Sequence, residues 1–167
     1  MLADFPVDIV DDLSAATLDQ LQIDIVIHLA GIAHDLAGHY QERDYELANY
    51  EMTKMIYEEF APSKATAFVF VSSVKALIDK ADEIVTEETT ARPASPYGKS
   101  KRKAEEYIMA QNTGGKQNYI LRPCMIHGPG NKGNLNLLYK FIHSGVPYPW
   151  GLFAISDLFF PLLIFAL

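Results

Sequence analysis

Two apolar runs rich in β-branched and aromatic residues constrain the fold more than any other feature of the sequence. They are IDIVIHLAG, at Ile23–Gly31, and TAFVFVSS, at Thr66–Ser73. Strands that are buried on both faces have this near-continuous apolar character, and such strands are typical of parallel sheets. The two runs alternate with segments of helical periodicity, which is the pattern of βαβ units. We therefore predict an α/β fold built on a parallel sheet.

The remaining elements follow from local signals. Apolar residues at helical spacing predict a helix over Asp44–Phe60, which Pro62 ends. Ser14 is the predicted N-cap of a short helix that follows it. A long helix is predicted from Tyr97 to about Gln111 because Pro96 suits a first helical position. Further predicted elements are strands at Phe5–Val10 and Asn118–Pro123, a turn at His127–Gly130 and a helix at Asn134–Ser144.

Composition excludes several classes of protein. The chain has 167 residues, of which 49% are hydrophobic and 21% charged, so a core can form and a disordered, collagen-like or coiled-coil chain is excluded. A formal net charge of −7 argues against a nucleic-acid or anionic-lipid surface. The single cysteine, Cys124, cannot form an internal disulfide bond, which fits a reducing compartment. The N-terminus has no secretory-signal pattern, and the apolar tail Leu158–Leu167 is too short to span a membrane. We therefore expect a cytoplasmic protein. His34, Asp35 and His39 lack the further ligands that would complete a metal site, so none is predicted.

Three residues suited to proton transfer fall at a strand end and on one helix face. Tyr97 and Lys101 are four positions apart on the predicted helix, so their side chains share a face. Ser73 ends the preceding strand, at the sheet edge where parallel sheets gather functional residues. A free tyrosine has a pKa of about 10, and a nearby ammonium lowers that pKa. We predict that Tyr97 moves a proton while the Ser73 hydroxyl binds the substrate oxygen.

The motifs around these residues resemble a known family. FVFVSS, SPYGKSKRKAEEYI and LRPCMIHGPG, with DIVIHLAG and Asn49-x-x-x-Thr53, are similar in order and spacing to the extended short-chain dehydrogenases/reductases. The nearest branch is the NAD-dependent nucleotide-sugar 4-epimerases of bacterial surface polysaccharide synthesis. The resemblance runs from about Val7 to Gly151. It implies a Rossmann-like, doubly wound parallel sheet.

The resemblance also implies roles for individual residues. The catalytic serine, tyrosine and lysine fall on Ser73, Tyr97 and Lys101. Contacts with NAD fall on Asp12, Leu13, Leu29, Ala30, Gly31, Asn49, Tyr97, Lys101 and Pro123. Substrate contacts fall on Ser73 and Asn134. The implied reaction passes hydride from C4 of a UDP-sugar to NAD while Tyr97 takes the hydroxyl proton, and hydride then returns to the other face.

Several binding assignments have a structural alternative. Asp12 is otherwise a solvated loop acid, and Leu29–Gly31 an ordinary turn at a strand end. Asn49 is otherwise a buried helix residue bonded to a backbone group. Pro123 would then simply end a strand, and Asn134 would cap its helix.

Three functions remain open at this point. The first is 4-epimerisation of a UDP-hexose or UDP-N-acetylhexosamine. The second is reduction of a 4-keto nucleotide sugar, and the third is a non-catalytic remnant or interaction module. Dehydration is disfavoured because Val74 and Lys75 follow Ser73 where the family's dehydratases have Asp-Glu. We expect a nucleotide sugar as partner, no nucleic acid and no membrane, and we leave a homodimer open.

The family's glycine-rich turn after its first strand has no counterpart here, since the first glycine is Gly31. By the family layout the chain starts near the third strand and lacks both the first βαβ unit and the C-terminal substrate lobe. Ile23–Ala30 would then expose an apolar edge. Because backbone amides at a helix N-terminus supply much of pyrophosphate binding, we expect this chain alone to bind NAD weakly and to be inactive.

Two regions are predicted: a partial NAD-binding, Rossmann-like epimerase domain over residues 1–151, and an apolar tail over residues 152–167 that does not match the family. Codons for the family-like sequence Ala-Asn-Gln-Arg-Ser-Phe-Leu-Ser-Leu-Val-Asp-Phe-Cys-Phe can be written with AAT for the asparagine. Removing one A from that AAT shifts the reading frame, and the new frame encodes Ala154–Leu167. We therefore predict that Ile155–Leu167 is a frameshift product, whose apolar side chains lower solubility.

Overall fold

A three-stranded parallel sheet is the centre of the computed structural model, which describes residues 11–33, 39–81, 84–86 and 88–124. Its strands are β1 (Ile25–His28), β2 (Ala67–Val71) and β3 (Gln117–Leu121), adjacent in that order. The predicted α/β class with a parallel sheet is confirmed.

The helices alternate with these strands along the chain. They are α1 (Ala15–Gln20), α2 (Glu42–Tyr45), a π-helical segment (Glu46–Glu51), α3 (Met52–Phe60), a 3-10 turn (Val74–Ala76) and α4 (Pro96–Ala110). Because each strand is followed by helix before the next parallel strand, the described chain consists of successive βαβ crossovers.

Two predicted helix starts are confirmed by their capping hydrogen bonds. The Ser14 hydroxyl accepts a hydrogen bond from Thr17 N at 3.2 Å, which begins α1. The Ser95 hydroxyl accepts from Gly98 N at 3.1 Å, and Pro96 follows as the first residue of α4. Each cap satisfies a backbone donor that the helix itself leaves without a partner.

The helix predicted over Asp44–Phe60 differs from the observed one in two respects. Helical structure begins earlier, at Glu42, and its middle is π-helical over Glu46–Glu51 rather than α-helical. A π-helical segment carries one extra residue per turn and is frequent at functional sites. The apolar spacing that predicts a helix does not distinguish the i→i+5 hydrogen bonds of this segment from the i→i+4 bonds of an α-helix.

The core lies between one face of the sheet and the helices. Register places Val26 opposite Phe68, and His28 opposite Phe70, so these four side chains share a face. Phe60 of α3 and Ile108 of α4 pack against that face. Other members of this core are Leu18, Tyr57, Ala65 and Ala104. The described residues up to Arg122 belong to one compact unit.

The expectation that Ile23–Gly31 is buried on both faces is wrong. The strand is shorter, and its residues alternate between exposed and buried. Ile25 and Ile27 are 52% and 59% exposed, because the core packs on the opposite face of β1. Within the described sheet β1 is an edge strand, as expected from the family layout.

Several predicted elements lie outside the described residues: the strand Phe5–Val10, the turn His127–Gly130, the helix Asn134–Ser144 and the tail 152–167. No helix within the described ranges is long and apolar enough to cross a membrane.

Candidate active site

The predicted catalytic residues meet where β2 ends and α4 begins. Ser73 lies two residues beyond β2, and its hydroxyl accepts from Lys75 N at 3.2 Å, which caps the 3-10 turn. Tyr97 lies in the first turn of α4, and the Ser73 hydroxyl is near enough to favour the ionised form of Tyr97. The structure therefore places Ser73 and Tyr97 together where α4 contacts the turn that follows β2.

Gly98 allows this contact. A Cβ on Gly98 would lie 2.4 Å from the backbone oxygen of Lys75. Real Cβ atoms do not approach a backbone atom this closely, so only glycine lets α4 pack on the turn that follows Ser73. Packing thus explains the glycine of SPYGKSK.

The expected lowering of the Tyr97 pKa is wrong. Burial raises the pKa of Tyr97 above its ordinary value, and the hydrogen bond from Ser73 opposes that rise only in part. The ammonium of Lys101 does not offset burial because it is directed elsewhere, to the Val71 carbonyl and the Phe70 ring.

Lys101 is a buried cation one helical turn beyond Tyr97. It is 4% exposed, its Nζ donates to Val71 O at 3.1 Å, and the Nζ lies 4.7 Å from the centroid of the Phe70 ring. Burial lowers the pKa of Lys101 to about 8, while Glu105 acts in the opposite direction. Lys101 can therefore gain or lose its proton near neutral pH.

The amide of Asn49 is fully occupied by the chain itself. Its Oδ1 accepts from Ile32 N at 2.9 Å, and its Nδ2 donates to Ile32 O and to Ser100 Oγ, each at 3.0 Å. The alternative interpretation, a buried helix residue bonded to the backbone, is confirmed. A contact of Asn49 with NAD stays a prediction.

The loop after β1 reaches the same site through Gly31. Gly31 has a φ of +148°, and a Cβ there would lie 2.4 Å from Asn49 Oδ1 and 3.4 Å from Lys101 Nζ. The residue must therefore be glycine, and its backbone lies beside the ammonium. A backbone without a side chain next to a cation, at the carboxyl end of a parallel strand, leaves room for the close approach of a ligand.

The other predicted binding residues are more scattered. Leu29, at 70% exposure, and Ala30 are open to a ligand at the end of β1. The Asp12 carboxylate accepts from Thr17 Oγ1 at 3.1 Å, and Leu13 is 41% exposed. Pro123 lies two residues beyond β3, and Asn134 lies outside the described residues. None of the described contacts joins Asp12 or Leu13 to the Ser73–Tyr97 pair.

The sequence analysis missed His28, whose ring lies beneath this site. Its Nε2 shares a hydrogen bond of 2.8 Å with Thr53 Oγ1, and its ring stacks on Phe70. Burial, assisted by the Lys101 ammonium, lowers the pKa of His28 to about 4. The sequence signal that could have identified His28 is that it is a single titratable residue within the apolar strand β1.

We expect acid to destabilise the fold through His28. Its folded pKa of about 4 lies below the ordinary 6.5, so the unfolded chain binds a proton that the folded chain does not. The contribution of His28 is therefore fully present above about pH 6.5, and is lost at up to about 1.4 kcal/mol per pH unit as the pH falls to about 4. Urea unfolding of the full chain at several pH values measures this slope.

The informative variant is His28→Gln, which should flatten the slope. An unaltered slope in the His28→Gln variant would show that other groups cause the acid sensitivity.

Comparison with known proteins identifies the family. A profile of the NAD dependent epimerase/dehydratase family matches residues 6–147, which is most of the chain. The chain belongs to this family. The resemblance that the motifs indicated is thereby confirmed at the family level.

Members of the epimerase/dehydratase family with known names or structures are similar to the chain. The UDP-glucose 4-epimerase of Vibrio cholerae is 29% identical over 153 residues, which are 85% of this chain and 46% of that protein. The structure of UDP-glucuronic acid 4-epimerase from Bacillus cereus in complex with NAD matches with a TM-score of 0.64 and 26% identity, over 80% of this chain and 42% of that one.

A third similar structure is MoeE5 in complex with UDP-glucose and NAD, with a TM-score of 0.63 and 25% identity, over 78% of this chain and 43% of that one. These structural matches support the predicted Rossmann-like fold. The chain spans less than half the length of each of these three relatives.

Proposed function

We propose that this chain carries the proton-transferring residues of an NAD-dependent 4-epimerase that acts on a UDP-hexose. The observation that carries the proposal is the close packing of the first turn of α4, which holds Tyr97, on the turn that begins at Ser73, with the Lys101 ammonium one helical turn further on. The names of the relatives support the class of substrate, because all three similar proteins are described as UDP-sugar 4-epimerases or as complexes with a UDP-sugar.

Each of the three residues has a distinct role in this proposal. Ser73 holds the C4 oxygen of the sugar by a hydrogen bond and keeps it within reach of Tyr97. The Tyr97 hydroxyl exchanges the proton of that oxygen. Because burial raises the pKa of Tyr97, its phenolate is a strong base once formed and takes the proton of the C4 hydroxyl. The resulting neutral phenol gives that proton back to the C4 oxygen when the hydroxyl is restored.

Lys101 supplies the positive charge of the site. Its ammonium favours the phenolate form of Tyr97 electrostatically when it is turned toward that side chain. The same ammonium, beside Gly31, would hold the nicotinamide ribose of NAD, while the exposed backbone of Leu29 and Ala30 would border the cofactor. Bound NAD supplies the acceptor, and in the return step the donor, of the C4 hydride.

A chimaeric enzyme tests the proposal. Residues 11–122 of this chain would replace the matching segment of the Vibrio cholerae UDP-glucose 4-epimerase, which provides the remaining parts of the site. We expect the chimaera to bind NAD, measured by calorimetry, and to interconvert UDP-glucose and UDP-galactose without net release of NADH. The 167-residue chain assayed alone is the parallel sample, in which we expect no turnover.

The outcomes separate the competing functions. A chimaera that binds NAD but converts neither sugar nucleotide would contradict the proposed function. Consumption of NADH or NADPH with a 4-keto sugar nucleotide would instead identify a reductase. Turnover by the 167-residue chain alone would refute the prediction that it is inactive. A cytoplasmic location stays a prediction from the sequence, and a homodimer stays open.

A further inference from the structure

A buried carboxylate that the proposed chemistry does not use lies next to the candidate active site. Glu105 of α4 is 0% exposed. Its Oε1 accepts from Ser72 Oγ at 2.6 Å and from Arg122 Nε at 2.8 Å, and its Oε2 accepts from Arg122 Nη2 at 2.7 Å. Arg102 Nη1 adds a longer contact of 3.4 Å to Oε2. One carboxylate thus accepts four hydrogen bonds.

The partners of Glu105 come from the ends of two strands. Ser72 directly follows β2 and directly precedes Ser73, and Arg122 directly follows β3. The backbone of Ser72 also donates to Leu121 O at 2.7 Å, which extends the ladder between the two strands. Glu105 therefore fastens the carboxyl ends of β2 and β3 to the helix that carries Tyr97.

Stability alone is a weak reason for this arrangement. Removing a carboxylate from water is costly, and replacing a buried ion pair by apolar side chains of similar volume is often neutral or stabilising. A bidentate pair with arginine does, however, impose one geometry, because the guanidinium and carboxylate planes must match. The pair is suited to fixing positions precisely where Ser73 and Tyr97 must meet.

Glu105 also lies one helical turn beyond Lys101 on the same helix face. Residues four apart on a helix are neighbours. Glu105 is the charged neighbour that favours the ammonium form of Lys101 against the effect of burial.

We propose that Glu105 is a positioning residue of this site: it holds Ser72, and with it Ser73, against α4 and places its carboxylate one helical turn from Lys101. The inference deepens the proposed function and rests on it for the meaning of Ser73, Tyr97 and Lys101. Glu105 itself does not touch substrate in this scheme.

The groups that could otherwise control the charge of Lys101 are few in the described part of the chain. The ring of His28 acts on Lys101 from β1, and Glu105 acts on it from its own helix. Val71 O and the Phe70 ring contact it from β2, and the backbone of Gly31 lies beside it. His28 has a pKa of about 4 and is neutral while Lys101 titrates. Glu105 is therefore the carboxylate to change.

The test is the titration of Lys101 in the full chain, followed by NMR of lysine labelled with carbon-13 at Cε. In the Glu105→Gln variant we expect the midpoint of Lys101 to shift downward. General loosening of the fold would expose Lys101 and shift the midpoint upward, so the sign separates a specific from a merely structural role. An unchanged or raised midpoint would overturn the proposal.

Glu106→Gln is the matched control. Glu106 is the next residue of α4, its side chain is 58% exposed, and it pairs with Arg102 at 2.7 Å. The substitution removes the same charge from the same helix on its solvent side. We expect the Lys101 midpoint to stay where it is, and a shift equal to that of the Glu105→Gln variant would contradict a specific role for Glu105.

A second variant keeps the proposal testable if Glu105→Gln does not fold. Ser72→Ala removes one hydrogen bond from Glu105 and leaves no charge unpaired. We expect it to move the Cζ resonance of Tyr97 at neutral pH, because Ser73 is no longer held in place. Ser63→Ala, which removes a buried hydroxyl bonded to Phe60 O at 2.7 Å, is the control and should leave that resonance unchanged.

An unmoved Tyr97 resonance in Ser72→Ala would overturn the positioning role. Neither readout needs turnover. An inactive chimaera would therefore contradict the proposed function without affecting the NMR results for Glu105. Likewise, unchanged NMR signals would contradict the role of Glu105 without affecting the proposed function.

Discussion

Replacing Tyr97 by phenylalanine in the chimaeric enzyme is expected to lower kcat for epimerisation by about 10²–10⁴-fold, the range of general acid–base catalysis. The substitution removes the hydroxyl that exchanges the C4 proton and leaves the ring in place, where it packs 6.3 Å from the ring of Tyr45. NAD affinity, measured by calorimetry, should change little. The loss should therefore appear in kcat rather than in cofactor binding.

Tyr107→Phe is the matched control for this experiment. Tyr107 lies on the same helix, and its hydroxyl donates to the exposed Glu58 at 3.3 Å, away from Ser73. We expect kcat of this variant to stay close to that of the parent chimaera. A Tyr97→Phe variant that keeps more than a tenth of the parent kcat would show that another group transfers the proton.

Replacing Gly98 by alanine is expected to destabilise the full chain by about 1–3 kcal/mol, the usual cost of overpacking. The direction is informative because alanine in a helix is ordinarily more favourable than glycine by about 1 kcal/mol. Here the added Cβ would meet the backbone oxygen of Lys75 at 2.4 Å, so α4 must move away from the turn. Urea unfolding measures the change in free energy.

Lys99→Ala provides the comparison, since the neighbouring residue is exposed and the change also places alanine in the helix. We expect its effect on the free energy of unfolding to stay within about 0.5 kcal/mol. The Gly98→Ala variant should also move Tyr97 away from the turn that begins at Ser73, seen as a shift of the Tyr97 Cζ resonance. A Gly98→Ala variant that is as stable as the parent would contradict this prediction, because it would show that the turn at Lys75 can move to admit the methyl group without lowering the free energy of unfolding.

Elements whose signals are local could be predicted from the sequence. Ser95 and Pro96 mark the start of α4 because capping depends on residues within one turn. The core strand β2 could be predicted because its apolar run is buried in the way the pattern demands. The spacing of Tyr97 and Lys101 was enough to place both on one helix face.

Features that depend on distant neighbours could not be predicted in the same way. The exposure of Ile25 and Ile27 depends on which elements pack against β1, and the residues of β1 alone do not determine this. The raised pKa of Tyr97 depends on burial by other elements, and spacing alone indicated the opposite direction. The contacts of Glu105 join residues 33 and 17 positions away, beyond any local pattern.

The hydrogen bonds of Asn49 have a thermodynamic consequence for ligand binding. The side-chain amide of Asn49 is hydrogen-bonded to the backbone of Ile32, beside Gly31, and also donates a hydrogen bond to Ser100 Oγ. The Ser100 hydroxyl in turn donates to the carbonyl oxygen of Tyr97 at 2.8 Å. A ligand that orders the backbone at Gly31 would therefore also restrain the backbone of Tyr97. Because such linkage is reciprocal, a ligand that restrains Tyr97 would restrain the loop at Gly31 to the same degree.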